Sequence, residues 1–147
     1  MKIEVLKNKS LFYKRYIGPY GPENRRHMKQ FKKYLDEQNL MRDDLVIIAQ
    51  ALDNPQITNP NLCRYDIGII NVEKDLVKEL NEGVINDGNY AVIVLDHTEK
   101  AIHEFWRNFP QYLIENDLQF DEKNAVLERY DSPLLKQNLC EILIPIK

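Results

Sequence analysis

The chain has 147 residues, 44% of them hydrophobic, and a net charge of −3 at pH 7. That length supports one compact domain, or two half-size modules sharing a core. The acidic balance argues against a nucleic-acid-binding surface, no apolar run approaches a transmembrane helix, and Met1-Lys2-Ile3-Glu4-Val5 lacks the apolar core of a signal peptide. A cytoplasmic protein with no membrane contact and no direct nucleic-acid binding is expected.

Leu11 to Ile17 is β-rich and is broken by Gly18-Pro19-Tyr20-Gly21-Pro22. Pro22 suits the first position of a helix. Met28, Phe31, Tyr34 and Leu35 follow at helical spacing, which predicts a helix over about Glu23–Asn39. Its basic residues Arg25, Arg26, Lys29, Lys32 and Lys33 fit a solvated face. Leu45–Leu52 and Leu62–Asn71 read as strands separated by a loop over Asp53–Pro60. Glu73–Gly88 is a joining segment of ambiguous pattern. Tyr90–Leu95 is a strand, and Thr98 can cap a helix with Glu99 favourable in its first turn. Ile102, Phe105, Trp106, Phe109 and Leu113 form that helix's apolar stripe, in which Trp106 reads first as core. Pro110 should kink it or fray a turn. Asn124–Tyr130 and Leu139–Ile146 close the chain as a hairpin.

The second half repeats the first. Phe31, Tyr34, Leu35 and Leu40 recur 78 positions on as Phe109, Tyr112, Leu113 and Leu118, and Asp53-Asn54-Pro55 recurs as Asp131-Ser132-Pro133. Asn61-Leu62-Cys63 recurs 77 positions on as Asn138-Leu139-Cys140. The expected fold is α+β. A βαββ module is duplicated about a pseudo-twofold axis, with one repeat over about 1–72 and the other over about 84–147. The helices lie on one face of the sheet.

Alternation in the last strand puts Cys140, Ile142, Ile144 and Ile146 toward the helices and Glu141 and Leu143 away from them. A turn centred near Leu134 and Leu135 then places Glu128 opposite Glu141, both facing away from the helices. Like charges directly opposite are destabilising, so the pair implies solvent, a shared proton or a cation between them. At the equivalent places in the first half stand Gln50 and Arg64, the latter expected to pair with Asp66. Ile48, Leu52, Gly68 and Ile70 make this face apolar too, so it needs a second cover, either the other half or a ligand. The predicted site is therefore a groove on the face away from the helices, holding Glu128, Glu141, Tyr130 and Leu143. Cys63 and Cys140 read as buried thiols. No histidine or cysteine spacing suggests a metal, and no cofactor motif is present.

Several segments in this order and spacing resemble the GyrI-like small-molecule-binding domain, found as the effector domain of AraC- and MerR-type regulators and as stand-alone proteins. They are Ile17-Gly18-Pro19-Tyr20, Asp53-Asn54-Pro55, Leu62-Cys63-Arg64-Tyr65-Asp66, Gly88-Asn89-Tyr90-Ala91-Val92, Trp106 and Cys140-Glu141-Ile142-Leu143-Ile144-Pro145-Ile146. The resemblance implies two βαββ (SHS2-like) modules and a ligand groove at their junction, where an acid meets lipophilic cations. That acid matches Glu128, a second matches Glu141, an aromatic wall position falls on Leu143, and Trp106 and Phe105 match further wall positions. The implied ligand is a lipophilic or cationic small molecule, bound for drug sensing or sequestration. Two alternatives follow from stand-alone relatives. One is hydrolysis of electrophilic cyclopropane compounds, with Glu128 as general base assisted by Tyr130 or Glu141. The other is interaction with a protein partner, as in guarding a topoisomerase.

Overall fold

The computed structural model describes residues 1–147. Eight strands form one antiparallel sheet. They are β1 (Lys2–Leu6), β2 (Lys9–Ile17), β3 (Val46–Ala51), β4 (Arg64–Ile70), β5 (Asn81–Ile85), β6 (Gly88–Asp96), β7 (Leu127–Asp131) and β8 (Leu139–Ile146). The helices are α1 (Pro22–Glu37), α2 (Glu99–Arg107), α3 (Phe109–Glu115) and α4 (Ser132–Lys136). None is long and apolar enough to cross a membrane.

The strand order is β1-β6-β8-β7-β3-β4-β2-β5. Exchanging β1–β4 with β5–β8 reverses this order and leaves it unchanged. β3 and β7 pair at its centre, Ile47 beside Tyr130 and Ala49 beside Glu128. The sheet is bounded by two edge strands, β1 and β5, that local pattern did not reveal.

This order forces the sheet to curl. β1 and β2 lie six strands apart, about 29 Å in a flat sheet. Only Lys7 and Asn8 join them, and such a link reaches about 11 Å. Asn86 and Asp87 impose the same constraint between β5 and β6. The two corners meet where the Asn8 amide donates to Asp87 Oδ1 at 3.0 Å. The curled sheet encloses an inner core of Leu6, Leu11, Ile48, Ile85, Tyr90, Val92, Leu127 and Leu143. The face away from the helices is thus covered by the sheet itself, where a groove was expected.

The outer face carries the helices. Phe31 and Leu35 of α1 are fully buried against Ile47, Ala49, Ile67 and Ile69. Phe105 of α2 packs on Ala91, Ile142 and Ile144. α1 starts at Gly21, whose φ of 122° suits only glycine, and Pro22 occupies its first turn. Thr98 Oγ1 caps α2 by accepting from the Ala101 amide at 3.1 Å. As Pro110 requires, the helical run breaks at Asn108 into α2 and α3.

The β7–β8 pairing corrects the expected register. Arg129 faces Glu141, Leu127 faces Leu143, and Glu128 faces Ile142. Asp131 Oδ1 accepts from the Leu134 amide at 2.9 Å and opens α4, so the strands are joined by a helical turn rather than a hairpin centred on Leu134 and Leu135. A one-residue slip exchanges the faces of a strand. Leu127 therefore lies in the inner core, while Glu128 and Tyr130 face the helices. The expected Arg64–Asp66 pair is also replaced. Arg64 pairs with Asp53 (3.0 Å), and Arg15 grips Asp66 through two bonds of 2.8 and 2.9 Å.

Candidate functional site

Glu128 occupies the middle of the outer face, on a central strand between Ala49 of β3 and Ile142 of β8. It is partly buried. Tyr130, two residues along the strand, shares its face and donates its hydroxyl to Glu128 Oε2 in a short hydrogen bond. Tyr65 of β4 donates to the same oxygen at 3.4 Å. The Tyr130 ring lies 5.2 Å from that of His97, and Lys32 Nζ of α1 stands 6.0 Å from its centroid. Tyr20 meets Tyr65 edge-on at 6.2 Å. Its hydroxyl donates to the Arg64 carbonyl at 2.6 Å and accepts from the Asp53 amide at 3.1 Å, which fixes the ring.

Glu128 takes part in no ion pair. Burial raises its pKa, and the hydrogen bonds from Tyr130 and Tyr65 oppose the rise without cancelling it. Burial, then the Glu128 charge, pushes the pKa of both phenols upward, so they remain neutral donors. The His97 pKa is lowered by burial and by the charges of Lys32 and Arg25, which keeps the ring neutral at pH 7. The cluster is a carboxylate held by two neutral donors among aromatic rings, with no cation in direct contact with it and the Lys32 ammonium beyond the Tyr130 ring.

The expected site residues divide between two faces. Glu128 and Tyr130 are brought together. Phe105 is buried beneath α2, and Trp106 beside it is 38% exposed, with ring centroids 5.3 Å apart. Glu141 is on the opposite face, 6% exposed, and accepts from Arg129 Nε at 2.8 Å. Arg129 also reaches Glu4 Oε2 and Oε1 at 2.7 and 3.1 Å. Glu141 is thus neutralised and does not face Glu128. Leu143 is fully buried in the inner core. Tyr65, Lys32 and His97 were not assigned to the site from sequence. The outward set of β4 contains Tyr65 two residues from the buried Cys63, and correct placement of Glu128 on the same face would have joined the two.

An antiparallel sheet curled on itself, with helices on its outer face, is the frame of a small-molecule-binding class of domain. The chain belongs to the GyrI-like small molecule binding domain family, which it matches over residues 1–147. It is 35% identical over 147 residues to the SPbeta prophage-derived protein YosT of Bacillus subtilis (strain 168), named as a candidate transcriptional regulator; the match covers 99% of this chain and 97% of that one. Among solved structures, SAV2435 bound to tetraphenylphosphonium superposes with a TM-score of 0.64 at 12% identity, covering 99% of this chain and 93% of that one. The C-terminal domain of EcmrR superposes with a TM-score of 0.68 at 11% identity, covering 99% and 96%. In a complex of EcmrR with DNA, the matching region is 56% of the longer chain.

Proposed function

We propose that the protein binds a lipophilic cation at Glu128, with Tyr65 and Tyr130 as the polar floor and Phe105 and Trp106 as further aromatic wall. The observation that carries this reading is that no cation touches Glu128. A carboxylate out of bulk water costs several kcal/mol unless paired, and here its partners are neutral hydroxyls. A bound cation supplies the missing charge, and aromatic rings add area and cation–π attraction. The ligand-bound neighbour, whose ligand is a lipophilic cation, supports the same chemistry. The reversible strand order and the repeated motifs support a duplicated βαββ unit, with the acid in the second copy alone. The biological role that fits is sensing or sequestering of such compounds within a regulatory system.

Tetraphenylphosphonium titrated into wild type and Glu128→Gln, followed by calorimetry, tests this. A buried charge pair predicts a loss of about 3–5 kcal/mol, roughly a hundred- to several-thousand-fold in Kd. A solvated carboxylate would cost under about 1 kcal/mol, and equal affinities would remove Glu128 from the site.

A further inference from the structure

The two halves differ at one edge. β1 pairs with β6 only as far as Lys2 beside Val92, so Ile93–Asp96 has a strand neighbour, β8, on one side alone. A cleft flanks this stretch on each face. The outer one, about 470 Å³, is lined by Ile93, Leu95, Phe105 and Tyr112 and rimmed by Asp96 and Glu104. The inner one, about 460 Å³, opens beside Val92 and Val94. Asp96 and Glu104 are exposed and belong to no ion pair.

In the first half the corresponding place is filled. β2 likewise runs past its edge partner, since β5 pairs only as far as Asn81 beside Tyr13. There the segment leading into β5 turns back over the outer face. It buries Val77 (2% exposed) and Leu80 (8%) in the cluster that contains Phe12, Tyr16 and Tyr34. Tyr34 recurs in the sequence as Tyr112, the residue that lines the open cleft. The chain's own Glu73–Leu80 thus shows what occupies this position: a short segment with two apolar side chains three residues apart. The second half offers an equivalent seat with unpaired carboxylates on its rim.

We propose that the β6 edge is a docking site for a short basic segment of a partner protein, seated as Glu73–Leu80 is seated in the first half. Its apolar side chains fill the outer cleft, and its lysines or arginines meet Asp96 and Glu104.

Two labelled peptides test this against the full chain by fluorescence anisotropy. One has the sequence of residues 73–80; the other carries Glu73→Lys, Asp75→Lys and Glu79→Lys. The basic peptide should saturate and bind at least tenfold more tightly than the parent. Asp96→Asn combined with Glu104→Gln should remove that advantage. Ala101→Trp, which fills the outer cleft, should abolish binding of both peptides, and Glu128→Gln, which lies outside the cleft, should leave peptide binding unchanged, so the two sites are judged separately. The proposal is overturned if neither peptide binds, or if the basic peptide binds the Ala101→Trp variant as it binds wild type. It is also overturned if the chain dimerises with rising concentration and Ala101→Trp prevents it, which would assign the cleft to a second copy.

Discussion

Arg129 stands directly across the β7–β8 pair from Glu141, and its guanidinium also grips Glu4 of β1. Burial works against the arginine's charge, and the hydrogen bonds to Glu4 and Glu141 outweigh it, leaving its pKa raised. One side chain therefore ties three strands together on the inner face, where Glu141 is 6% exposed. Arg129→Met should destabilise the protein by about 3–5 kcal/mol, the cost of leaving buried charges without their partner. Adding Glu141→Gln should recover part of that loss, because coupled residues are not additive. Urea denaturation of the single and double variants measures both, and additive losses would mean that the pair is not coupled.

The same cluster sets an acid limit. The hydrogen bond from Arg129, more than burial opposes it, holds Glu4 below the usual carboxylate range. A depressed folded pKa contributes stability above the unfolded value, lost as pH falls through the folded one. Wild type should lose this contribution below about pH 4. Glu4→Gln should show a shallower decline of Tm with acid over that range.

The α1 stripe, Thr98 cap, Pro110 break and helix-facing set of β8 were legible because each rests on chemistry within one helical turn or one strand. β1 and β5 were not, since an edge strand of five residues is specified by a distant partner. The site was misplaced by one residue of register. Two local signals favoured the observed pairing. Asp131 followed by Ser132-Pro133 is a helix N-terminus, which excludes a tight hairpin. Opposite charges are preferred across a pair, which selects Arg129 over Glu128 as the partner of Glu141. The acid was correctly singled out as Glu128, but its face depended on that register, and so did its tyrosine neighbours.

Cys140 reports on the outer core. It is fully buried, and burial together with the nearby charge of Glu128 pushes its thiol up to about 11. Cys63 is equally buried. At pH 8 both should react with a thiol reagent only as fast as the protein opens, with all reactivity restored in urea. Rapid labelling of Cys140 in the native state would mean that α1 lifts from the sheet around Glu128.

Tyr130 tunes the acid. Its hydroxyl lowers the Glu128 pKa against the effect of burial, so Tyr130→Phe should let that pKa rise further. Cation binding requires ionised Glu128 and weakens as pH falls through its pKa. The pH at which tetraphenylphosphonium affinity is half lost should therefore be higher in Tyr130→Phe than in wild type. Calorimetric titrations across pH 5–9 would show this, and an unchanged midpoint would separate Tyr130 from the carboxylate that binds the cation.

Glu128 should trade stability for binding. Its folded pKa is raised by burial, so between the unfolded value, about 4.3, and the folded one the native state holds more protons than the unfolded chain. Stability then falls as pH rises through that window, and the deficit is complete above the folded pKa. Glu128→Gln keeps an acceptor for Tyr65 and Tyr130 and removes the charge. It should be more stable than wild type at pH 7.5, by on the order of 1 kcal/mol, or about 2–4 °C in Tm for a domain of this size. The difference should vanish below about pH 3.3, where wild type is protonated in both states. Saturating tetraphenylphosphonium should raise the Tm of wild type and leave Glu128→Gln little changed. A variant less stable than wild type at pH 7.5 would mean that the carboxylate already has a compensating cation in the folded protein.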